Sequence, residues 1–314
     1  MTAVAGIRPV IVTGAPRSGT TLLYRLLDGV PGIFNFLDEG YFFEVLHDLG
    51  PAGRAAFLRL HQEAPVAELV RAAAERMLFT FFDDGYAQTS GTVNVQRVDV
   101  DFDAGVLAKT LDEARAAGGA TTVERLWHAW LLAFMRAMGA DPASTRFAVL
   151  KSPDYGRSGL AVHETLTDPR VLLVVRDPIY AIDSLKRSRA MRRTREVNAF
   201  ELLRVIGEYH RLVENSRALA AHHAQRTLVV RYEDLVAGTP TVMGSVAAFV
   251  GTPLDPAMLT PTINRAPWYG LSSFHRLEGV STASTLRKIE TLAPWEIRFI
   301  RAELAEFFQR FGYS

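Results

Sequence analysis

The residues of this chain that are most suited to chemistry lie near its start, in the stretch GAPRSGTT at positions 14–21. This stretch combines two glycines, an arginine and three hydroxyl side chains. An apolar, β-branched run precedes it and predicts a buried strand, and an apolar helical pattern follows it, with Thr20 and Thr21 as predicted caps. A strand, a glycine-ended loop and a helix in this order direct backbone N–H groups toward one point. The stretch therefore predicts an anion-binding loop.

The residue at position 20 indicates which anion fits. Residues 14–21 differ by one residue from the loop of nucleotide triphosphatases, G-x-x-x-x-G-K-[ST], because Thr20 stands in place of the lysine. A triphosphate would lack the cation that reaches its β- and γ-phosphates. Arg17, inside the loop, supplies a cation at another point and can donate to a terminal anionic group. The loop favours an anion other than a triphosphate, although a tight turn alone also accounts for the glycines.

Polar residues also follow four further apolar runs that are predicted to be strands. Because the carboxyl ends of parallel strands meet at one edge of a sheet, we expect these residues to lie beside the anion-binding loop. They are Asp38 and Glu39 after the run 33–37, Lys151 after 146–150, Arg176 after 171–175 and Tyr232 after 227–231. Lysine is rare here, with four among 35 basic residues, which draws attention to Lys151.

Two of these segments resemble the donor-binding motifs of sulfotransferases. The apolar strand followed by P-R-S-G-T-T resembles their phosphosulfate loop, and these enzymes use 3′-phosphoadenosine-5′-phosphosulfate (PAPS) as sulfuryl donor. The run VLLVV before Arg176, with Ser184 eight residues after that arginine, resembles their 3′-phosphate-binding segment. The resemblance implies that Arg17 and the loop hold the 5′-phosphosulfate and that Arg176 and Ser184 bracket the 3′-phosphate. The cofactor-binding residues implied for the loop are Arg17, Ser18, Gly19, Thr20 and Thr21.

The resemblance also implies which residues are catalytic. The K-S-P turn at Lys151 is similar to one in bacterial sulfotransferases, where such a lysine can neutralise charge on the departing phosphate. Many relatives carry a histidine two residues after the proline, and Tyr155 stands there instead. Glu39 lies about twenty residues after Gly19, where tyrosylprotein sulfotransferases have a carboxylate. The resemblance implies that this carboxylate takes the proton of an acceptor hydroxyl. Its neighbour Asp38 remains an alternative base. The implied catalytic residues are thus Arg17, Lys151 and Glu39.

Further donor contacts are implied near the end of the chain. The segment RYEDL resembles a family turn near the adenine side, which makes Tyr232 a candidate, and residues 279–288 resemble the late loop that closes over the nucleotide. The candidates in that loop are Ser284, Arg287 and Lys288. No metal is implied, since arginine and lysine supply the charge that magnesium would. The alternative in which Asp177 binds magnesium is disfavoured by Arg176 and Pro178 beside it.

The alternation of strands and helices predicts an α/β fold, a P-loop-like three-layer α/β/α arrangement with a parallel sheet of about four or five strands. We expect one sulfotransferase domain over residues 1–314, with a helical insert at roughly 40–145 on the acceptor side. Residues 89–102 predict a strand or hairpin within it, which would serve as a substrate flap, as a contact in a homodimer or as a plain surface excursion.

Composition narrows the classes of protein. The 314 residues carry a net charge of +1, which gives no global field for nucleic acid. The absence of cysteine excludes disulfides and thiolate catalysis and fits a reducing compartment. No basic leader or long apolar run is recognisable, so we expect a cytoplasmic protein without membrane contact.

The predicted function is transfer of a sulfuryl group from PAPS to a hydroxyl, or less often an amine, of a small molecule or saccharide. Two alternatives stay open from the sequence. One is a P-loop small-molecule kinase that uses ATP and Mg²⁺, which Thr20 disfavours. The other is a non-catalytic nucleotide-binding protein on the same fold.

Overall fold

The structure is a computed structural model, and it describes residues 2–40, 42–76, 86–87, 97–98, 101–191, 197–269, 279–282 and 288–313. The strands in this part of the chain form one large sheet and two short antiparallel sheets of two strands each. In chain order they are β1 (Arg8–Gly14), β2 (Ile33–Glu39), β3 (Tyr86–Ala87), β4 (Arg97–Val98), β5 (Phe147–Ser152), β6 (Arg170–Val175), β7 (Thr227–Arg231), β8 (Thr262–Ile263) and β9 (Ala266–Pro267).

The large sheet has five parallel strands in the order β2-β5-β1-β6-β7. The prediction of a parallel sheet of four or five strands is confirmed. The first strand lies at the centre of the sheet, hydrogen-bonded to β5 on one side and to β6 on the other. Its central position follows from its apolar, β-branched sequence, because a strand covered on both faces cannot afford exposed polar side chains. The anion-binding loop after β1 therefore starts from the middle of the carboxyl edge.

The described α-helices connect the strands and cover the sheet. In chain order they are α1 (Thr20–Arg25), α2 (Phe42–Glu63), α3 (Val66–Arg76), α4 (Ala104–Ala116), α5 (Val123–Ala137), α6 (Arg157–Thr165), α7 (Pro178–Met191), α8 (Ala199–His223), α9 (Tyr232–Ala237), α10 (Thr239–Val250), α11 (Pro294–Glu303) and α12 (Ala305–Phe311). The amphipathic pattern from Pro294 to Phe311 predicts one final helix, and the structure has two, α11 and α12. Pro51 predicts a division of the helical region after β2, and Gly50 beside it has non-helical backbone angles that kink α2.

Apolar side chains pack on both faces of the sheet, which confirms the three-layer arrangement. Alternate residues of β1 belong to different clusters, because successive side chains of a strand point to opposite faces. Val10 and Val12 pack with residues of α1, α9 and α10. Ile11 packs with residues of α5 and α6 on the other face. A third cluster on that second face joins β6 to α7, α8, α11 and α12.

Two helix starts differ from the predictions. The cap of α1 is Gly19, with φ 96°, and not Thr20 or Thr21, because Thr20 already has helical geometry. At α5, the spacing of Thr121 and Glu124 predicts a capping box, but the cap is Thr122, whose side chain accepts from Arg125 N at 3.2 Å. Glu124 then accepts a hydrogen bond from Thr167 N at 2.7 Å and does not reach back to its own helix start.

Residues 89–102 predict a strand or hairpin, and within them the structure describes strand β4 (Arg97–Val98) and residues 101–102. Strand β4 pairs antiparallel with β3 (Tyr86–Ala87), which lies before the predicted range. Residues 88–96 and 99–100 lie outside the described part of the chain. The use of this region as a substrate flap or as a dimer contact stays a prediction.

Candidate active site

The anion loop, residues 14–21, contains two glycines that pack closely against neighbouring elements of the fold. A Cβ atom at Gly14 would lie 2.2 Å from the carbonyl oxygen of Val174, and one at Gly19 would lie 2.2 Å from Cδ2 of Tyr232. Both glycines also have positive φ, which side-chain-bearing residues rarely adopt. Only glycine fits at either position, so the ends of the loop are fixed by packing as well as by backbone conformation.

Between the glycines, the loop forms a tight turn that carries the half-buried Arg17. The Ser18 hydroxyl donates to Ala15 O at 2.6 Å, and the Ser18 N–H donates to the same oxygen at 3.2 Å. Arg17 has φ 68° in this turn, a left-handed conformation that is uncommon for a residue with a side chain. Its Nε donates to Ser184 Oγ of α7 at 3.1 Å. The loop arginine and the predicted 3′-phosphate hydroxyl are thus in direct contact.

Lys151 lies at the end of β5 and points toward the anion loop. It pairs with Val12 of β1 in the sheet register and is 1% exposed. Its Nζ donates to Thr21 Oγ1 at 2.9 Å. Burial of a cation is costly unless a partner compensates for the lost water. The lysine therefore occupies a position from which it can act on an anion held by the loop.

Arg176 follows β6 and reaches the same loop from its other side. It is 9% exposed, and its Nη1 donates to the Arg17 carbonyl oxygen at 3.1 Å. Its guanidinium carbon lies 4.5 Å from the ring centroid of Tyr232, a cation–π distance. The Tyr232 ring also contacts Gly19, so it supports both Arg176 and the loop. This support was not foreseen for Tyr232, which was expected only near the adenine.

The end of β2 lies next to Lys151. Glu39 pairs with Lys151 in the sheet register, and the next residue, Gly40, donates its N–H to Lys151 O at 2.9 Å. Asp38 and Glu39 belong to β2, and the structure describes their backbone alone. The backbone of the predicted base is thus placed beside the predicted catalytic lysine.

Most of the predicted site residues come together around the anion loop. Two of the candidates in the late loop, Ser284 and Arg287, lie outside the described residues, and Lys288 is described as an exposed residue without helix or strand structure. The residues that the structure brings together at or next to the loop are Arg17, Ser18, Gly19, Thr20, Thr21, Lys151, Arg176, Ser184 and Tyr232.

Sequence reasoning missed Asp154, which is buried in the turn after β5. Its carboxylate accepts hydrogen bonds from Thr13 Oγ1 at 2.7 Å and from Ser158 N at 2.8 Å, and it also contacts the Ser152 and Ser158 hydroxyls. The long-range contact to Thr13 carried no signal in the sequence.

A second missed carboxyl group is Glu44, near the start of α2. It forms an ion pair with Arg157 at 3.1 Å. Burial and the negative charge of Asp154 raise the pKa of the Glu44 carboxyl to about 7, although Arg157 opposes this. At neutral pH the group is therefore present in both protonation states, a property shared by many acid–base residues.

Tyr155, which stands where many relatives have histidine, faces away from the loop. Its ring packs edge-on against Tyr209 of α8 with 5.8 Å between centroids. Burial raises the pKa of its phenol, so it stays protonated at physiological pH. Its backbone N–H donates to Gly14 O at 2.9 Å. The residue contributes packing and a backbone tie, and its ring belongs to the α8 side of the fold.

Helix α7 ties the anion loop to the last part of the chain. Next to Ser184, the buried carboxylate of Asp183 accepts hydrogen bonds from Thr291 N at 2.7 Å, from Thr291 Oγ1 at 2.8 Å and from Glu290 N at 3.2 Å. One turn away, Lys186 forms an ion pair with Glu296 at 2.9 Å. The segment after the late loop is therefore anchored on the helix that carries Ser184.

Comparison with known proteins agrees with this geometry. A model of the sulfotransferase family matches residues 9–256, well over half of the chain. The chain belongs to the sulfotransferase family. The activity of this sulfotransferase is accordingly the transfer of a sulfuryl group, as the motifs predicted. A search of curated protein sequences found no significant match.

Two solved structures share the fold of this sulfotransferase. The sulfotransferase domain from the curacin biosynthetic pathway is 15% identical, with a TM-score of 0.58, and the alignment covers 98% of each chain. The sulfotransferase domain of the Synechococcus PCC 7002 olefin synthase is 18% identical, with a TM-score of 0.53, and 98% of this chain and 96% of that one are covered. The predicted P-loop-like α/β/α class is confirmed.

The described residues contain neither a membrane-spanning helix nor a cluster of metal-ligating side chains. None of the helices in those ranges is both long enough and apolar enough to cross a membrane. Within the same ranges, no three or more histidine, aspartate or glutamate side chains are grouped in a way that could hold a metal ion.

Proposed function

We propose that this sulfotransferase moves the sulfuryl group of PAPS to a hydroxyl, or an amine, of a small-molecule or saccharide acceptor. The observation that carries the proposal is the convergence of three cations on one loop. Arg17 belongs to the anion loop, Lys151 Nζ lies 2.9 Å from Thr21 Oγ1, and Arg176 Nη1 lies 3.1 Å from Arg17 O. PAPS carries an anionic group at each end of its ribose, and cations at two sides of the loop fit such a donor.

The 5′-phosphosulfate would be held by the anion loop. The first N–H groups of an α-helix have no acceptor within the helix, and α1 begins inside the loop at Thr20. The two glycines let the loop pack closely against Val174 and Tyr232, since a Cβ atom at either position would collide with those residues, and this packing fixes the backbone that would hold the anion. Arg17 and Lys151 would add charge-assisted hydrogen bonds to the bound anion.

The 3′-phosphate would be held by Arg176 and Ser184. The Arg176 guanidinium is positioned by the Tyr232 ring at 4.5 Å and by the Arg17 carbonyl oxygen. Ser184 Oγ accepts from Arg17 Nε, so the two anion sites share a hydrogen bond. Ser284, Arg287 and Lys288 are proposed to cover the nucleotide as the family resemblance implies.

In the transfer step, PAPS supplies the sulfuryl group. The acceptor oxygen forms a bond to sulfur, the bond between sulfur and the 5′-phosphate oxygen breaks, and 3′,5′-adenosine diphosphate (PAP) leaves. Glu39, whose backbone pairs with Lys151, would take the acceptor proton. Lys151 would neutralise the negative charge that grows on the departing phosphate oxygen. Positioning and charge neutralisation supply most of the catalysis, as in loose phosphoryl transfer.

The acceptor site is proposed to lie under the insert at roughly 40–145, within a single domain of residues 1–314. In the described part of this insert, α2 begins directly after the end of β2, which carries Glu39. Glu44 in α2 forms an ion pair with Arg157 of α6, so the insert contacts the turn after Lys151. An acceptor bound there would reach the loop from the side of β2 and β5.

Binding of PAP, measured by calorimetry against ATP with Mg²⁺, tests the proposal. PAP is expected to bind at least about 100-fold more tightly than ATP, because each phosphate of PAP meets its own cation. Arg176→Met should weaken PAP binding by about 10-fold or more, whereas the control Arg136→Met, which breaks an exposed ion pair with Glu113, should leave it unchanged. Tighter binding of ATP with Mg²⁺ would reject PAPS as donor and favour phosphoryl transfer.

The acceptor is then identified by a screen with labelled PAPS and mass detection of sulfated products. Alcohols, phenols, amines and saccharides are presented separately, so that a hit names the acceptor class. A chain that binds PAP tightly but sulfates none of them, and in which Lys151→Met changes neither donor binding nor the release of PAP, would support a non-catalytic nucleotide-binding protein.

A further inference from the structure

The carboxylate of Asp154 joins three parts of the fold that surround the site. The residue is 2% exposed. It accepts hydrogen bonds from Thr13 Oγ1 at 2.7 Å, from Ser158 N at 2.8 Å and from Ser152 Oγ at 3.2 Å, and it contacts the Ser158 hydroxyl as well. Thr13 directly precedes the anion loop, Ser152 directly follows Lys151, and Ser158 lies in the first turn of α6. One buried carboxylate thus accepts hydrogen bonds from β1, from β5 and from α6.

The sheet register explains why this contact bears on the lysine. Thr13 pairs with Ser152, and Val12 pairs with Lys151. Because successive side chains of a strand point to opposite faces, Thr13 and Ser152 point together toward Asp154, and Lys151 points to the other face, toward Thr21. Asp154 therefore holds the ends of β1 and β5 on one face of the sheet, while Lys151 reaches the anion loop on the opposite face.

The turn that carries Asp154 has a second tie to the anion loop. Tyr155 N donates to Gly14 O at 2.9 Å, and Tyr155 has a left-handed φ of 60°. Asn215 Nδ2 of α8 donates to Tyr155 O at 2.9 Å, and Arg157 Nε donates to Asp154 O at 3.0 Å. The turn is fixed on both sides, so its carboxylate has a defined position relative to the loop.

We propose that Asp154 is a positioning residue for sulfuryl transfer, which holds Lys151 at the correct distance from the anion loop through Ser152 and Thr13. This inference rests on the proposed function. Hydrogen bonds to a buried charge are short and directional, and a catalytic group that is misplaced by about 1 Å can lose about 100-fold in rate. Donor affinity depends less on this contact, because Arg176 and Ser184 lie on other elements.

The competing explanation is that Asp154 only stabilises the start of α6 through Ser158. Three variants separate the two roles. Thr13→Val removes the hydrogen bond on the loop side, Ser158→Ala removes a hydroxyl on the helix side, and Asp154→Asn keeps the shape and removes the charge. Thr13→Ser restores the hydroxyl and serves as the conservative rescue.

Each variant is measured for PAP affinity by calorimetry, for melting temperature, and for kcat and KM of PAPS conversion to PAP at a temperature where all variants are folded. Conversion is followed with the acceptor selected by the screen and, separately, with water as acceptor. Asp154→Asn is expected to lower kcat about 10- to 100-fold and Thr13→Val about 10-fold, with the Kd for PAP within about threefold of the parent. Thr13→Ser should restore most of the rate, and Ser158→Ala should lower the melting temperature alone.

The inference is overturned if Thr13→Val and Asp154→Asn keep kcat within about twofold while the melting temperature falls, or if Ser158→Ala loses as much kcat as Thr13→Val. Should Asp154→Asn fail to fold, the comparison of Thr13→Val with Ser158→Ala decides alone. A parent chain that does not bind PAP would overturn the proposed donor instead, so the two failures are distinguishable.

Discussion

Arg17 Nε lies 3.1 Å from Ser184 Oγ, which joins the loop after β1 to the helix after β6. The two residues belong to the sites proposed for opposite ends of the same donor. A hydroxyl that accepts from the guanidinium keeps its own proton available for a phosphate oxygen. The contact therefore prepares both side chains for a ligand that spans them.

Ser184→Ala is expected to weaken PAP binding about 3- to 30-fold, since a hydrogen bond to a charged group contributes about 1.5–3 kcal/mol and solvent replaces part of it. Binding is measured by calorimetry, in parallel with adenosine 5′-phosphosulfate, which has no 3′-phosphate. Affinity for that second ligand should not change. The control Ser245→Ala alters an exposed hydroxyl on α10. Equal losses for both ligands would show that Ser184 acts through Arg17 and not on the 3′-phosphate.

Gly19→Ala is expected to abolish PAP binding and to destabilise the fold. The new Cβ would lie 2.2 Å from Tyr232 Cδ2, at a residue with φ 96°. Strain of this kind costs about 1–3 kcal/mol, apart from the collision. Chemical denaturation measures the loss. Gly244→Ala, in α10 with no atom within 4 Å of its Cβ, should instead stabilise the chain by up to about 1 kcal/mol. A Gly19→Ala variant that bound PAP normally would contradict the proposed cradle.

Lys151→Met is expected to lower kcat about 100- to 1000-fold, because the lysine supplies charge where the phosphate oxygen departs. The Kd for PAP should rise by a smaller factor. Since the side chain is 1% exposed, the nonpolar replacement should not lower the melting temperature. The exposed Lys109 on α4 provides the control Lys109→Met. A loss of PAP affinity as large as the loss of kcat would assign Lys151 to ground-state binding alone.

His163 is expected to contribute a loss of stability as the pH is lowered from 7 toward 5. Burial, together with His223, Arg226 and Arg170, lowers the pKa of His163 to about 3. The ring stacks on His223 with 4.0 Å between centroids. Below about pH 6.5, the ordinary pKa of histidine, His163 binds a proton in the unfolded chain but stays neutral in the folded chain, so unfolding is favoured. The slope is at most about 1.4 kcal/mol per pH unit, and less after screening by solvent.

Melting temperatures between pH 7.5 and 5 check this expectation. His163→Phe should raise the melting temperature at pH 5 relative to that at pH 7.5. His210→Gln, at an exposed site on α8, should not change this difference. Glu44 acts in the opposite direction, since its raised pKa of about 7 gives stability that is present at low pH and lost as the pH rises. An unchanged pH profile in His163→Phe would exclude the histidine pair as the cause.

The sheet and most of the site were predictable because short-range patterns determine them. β-branched runs mark the strands, and the polar residues that follow them meet at one edge by the geometry of parallel sheets. The cap at Gly19 was not predicted, because glycine has no side chain that could mark it as a cap, whereas Thr20 and Thr21 are typical cap residues that here lie inside the helix. Asp154 was missed because its partner Thr13 lies far away in the chain.

Two consecutive residues of helix α7 contact distant parts of the chain. Ser184 accepts a hydrogen bond from Arg17, and Asp183 accepts one from Thr291. A displacement of one contact is transmitted to the other through a single peptide unit. Residues near both termini are therefore mechanically linked through one turn of helix. Removal of the chain from Glu290 onward would take away the backbone donors of the buried Asp183 carboxylate, in the residue beside Ser184, so the end of the chain supports the loop near its start.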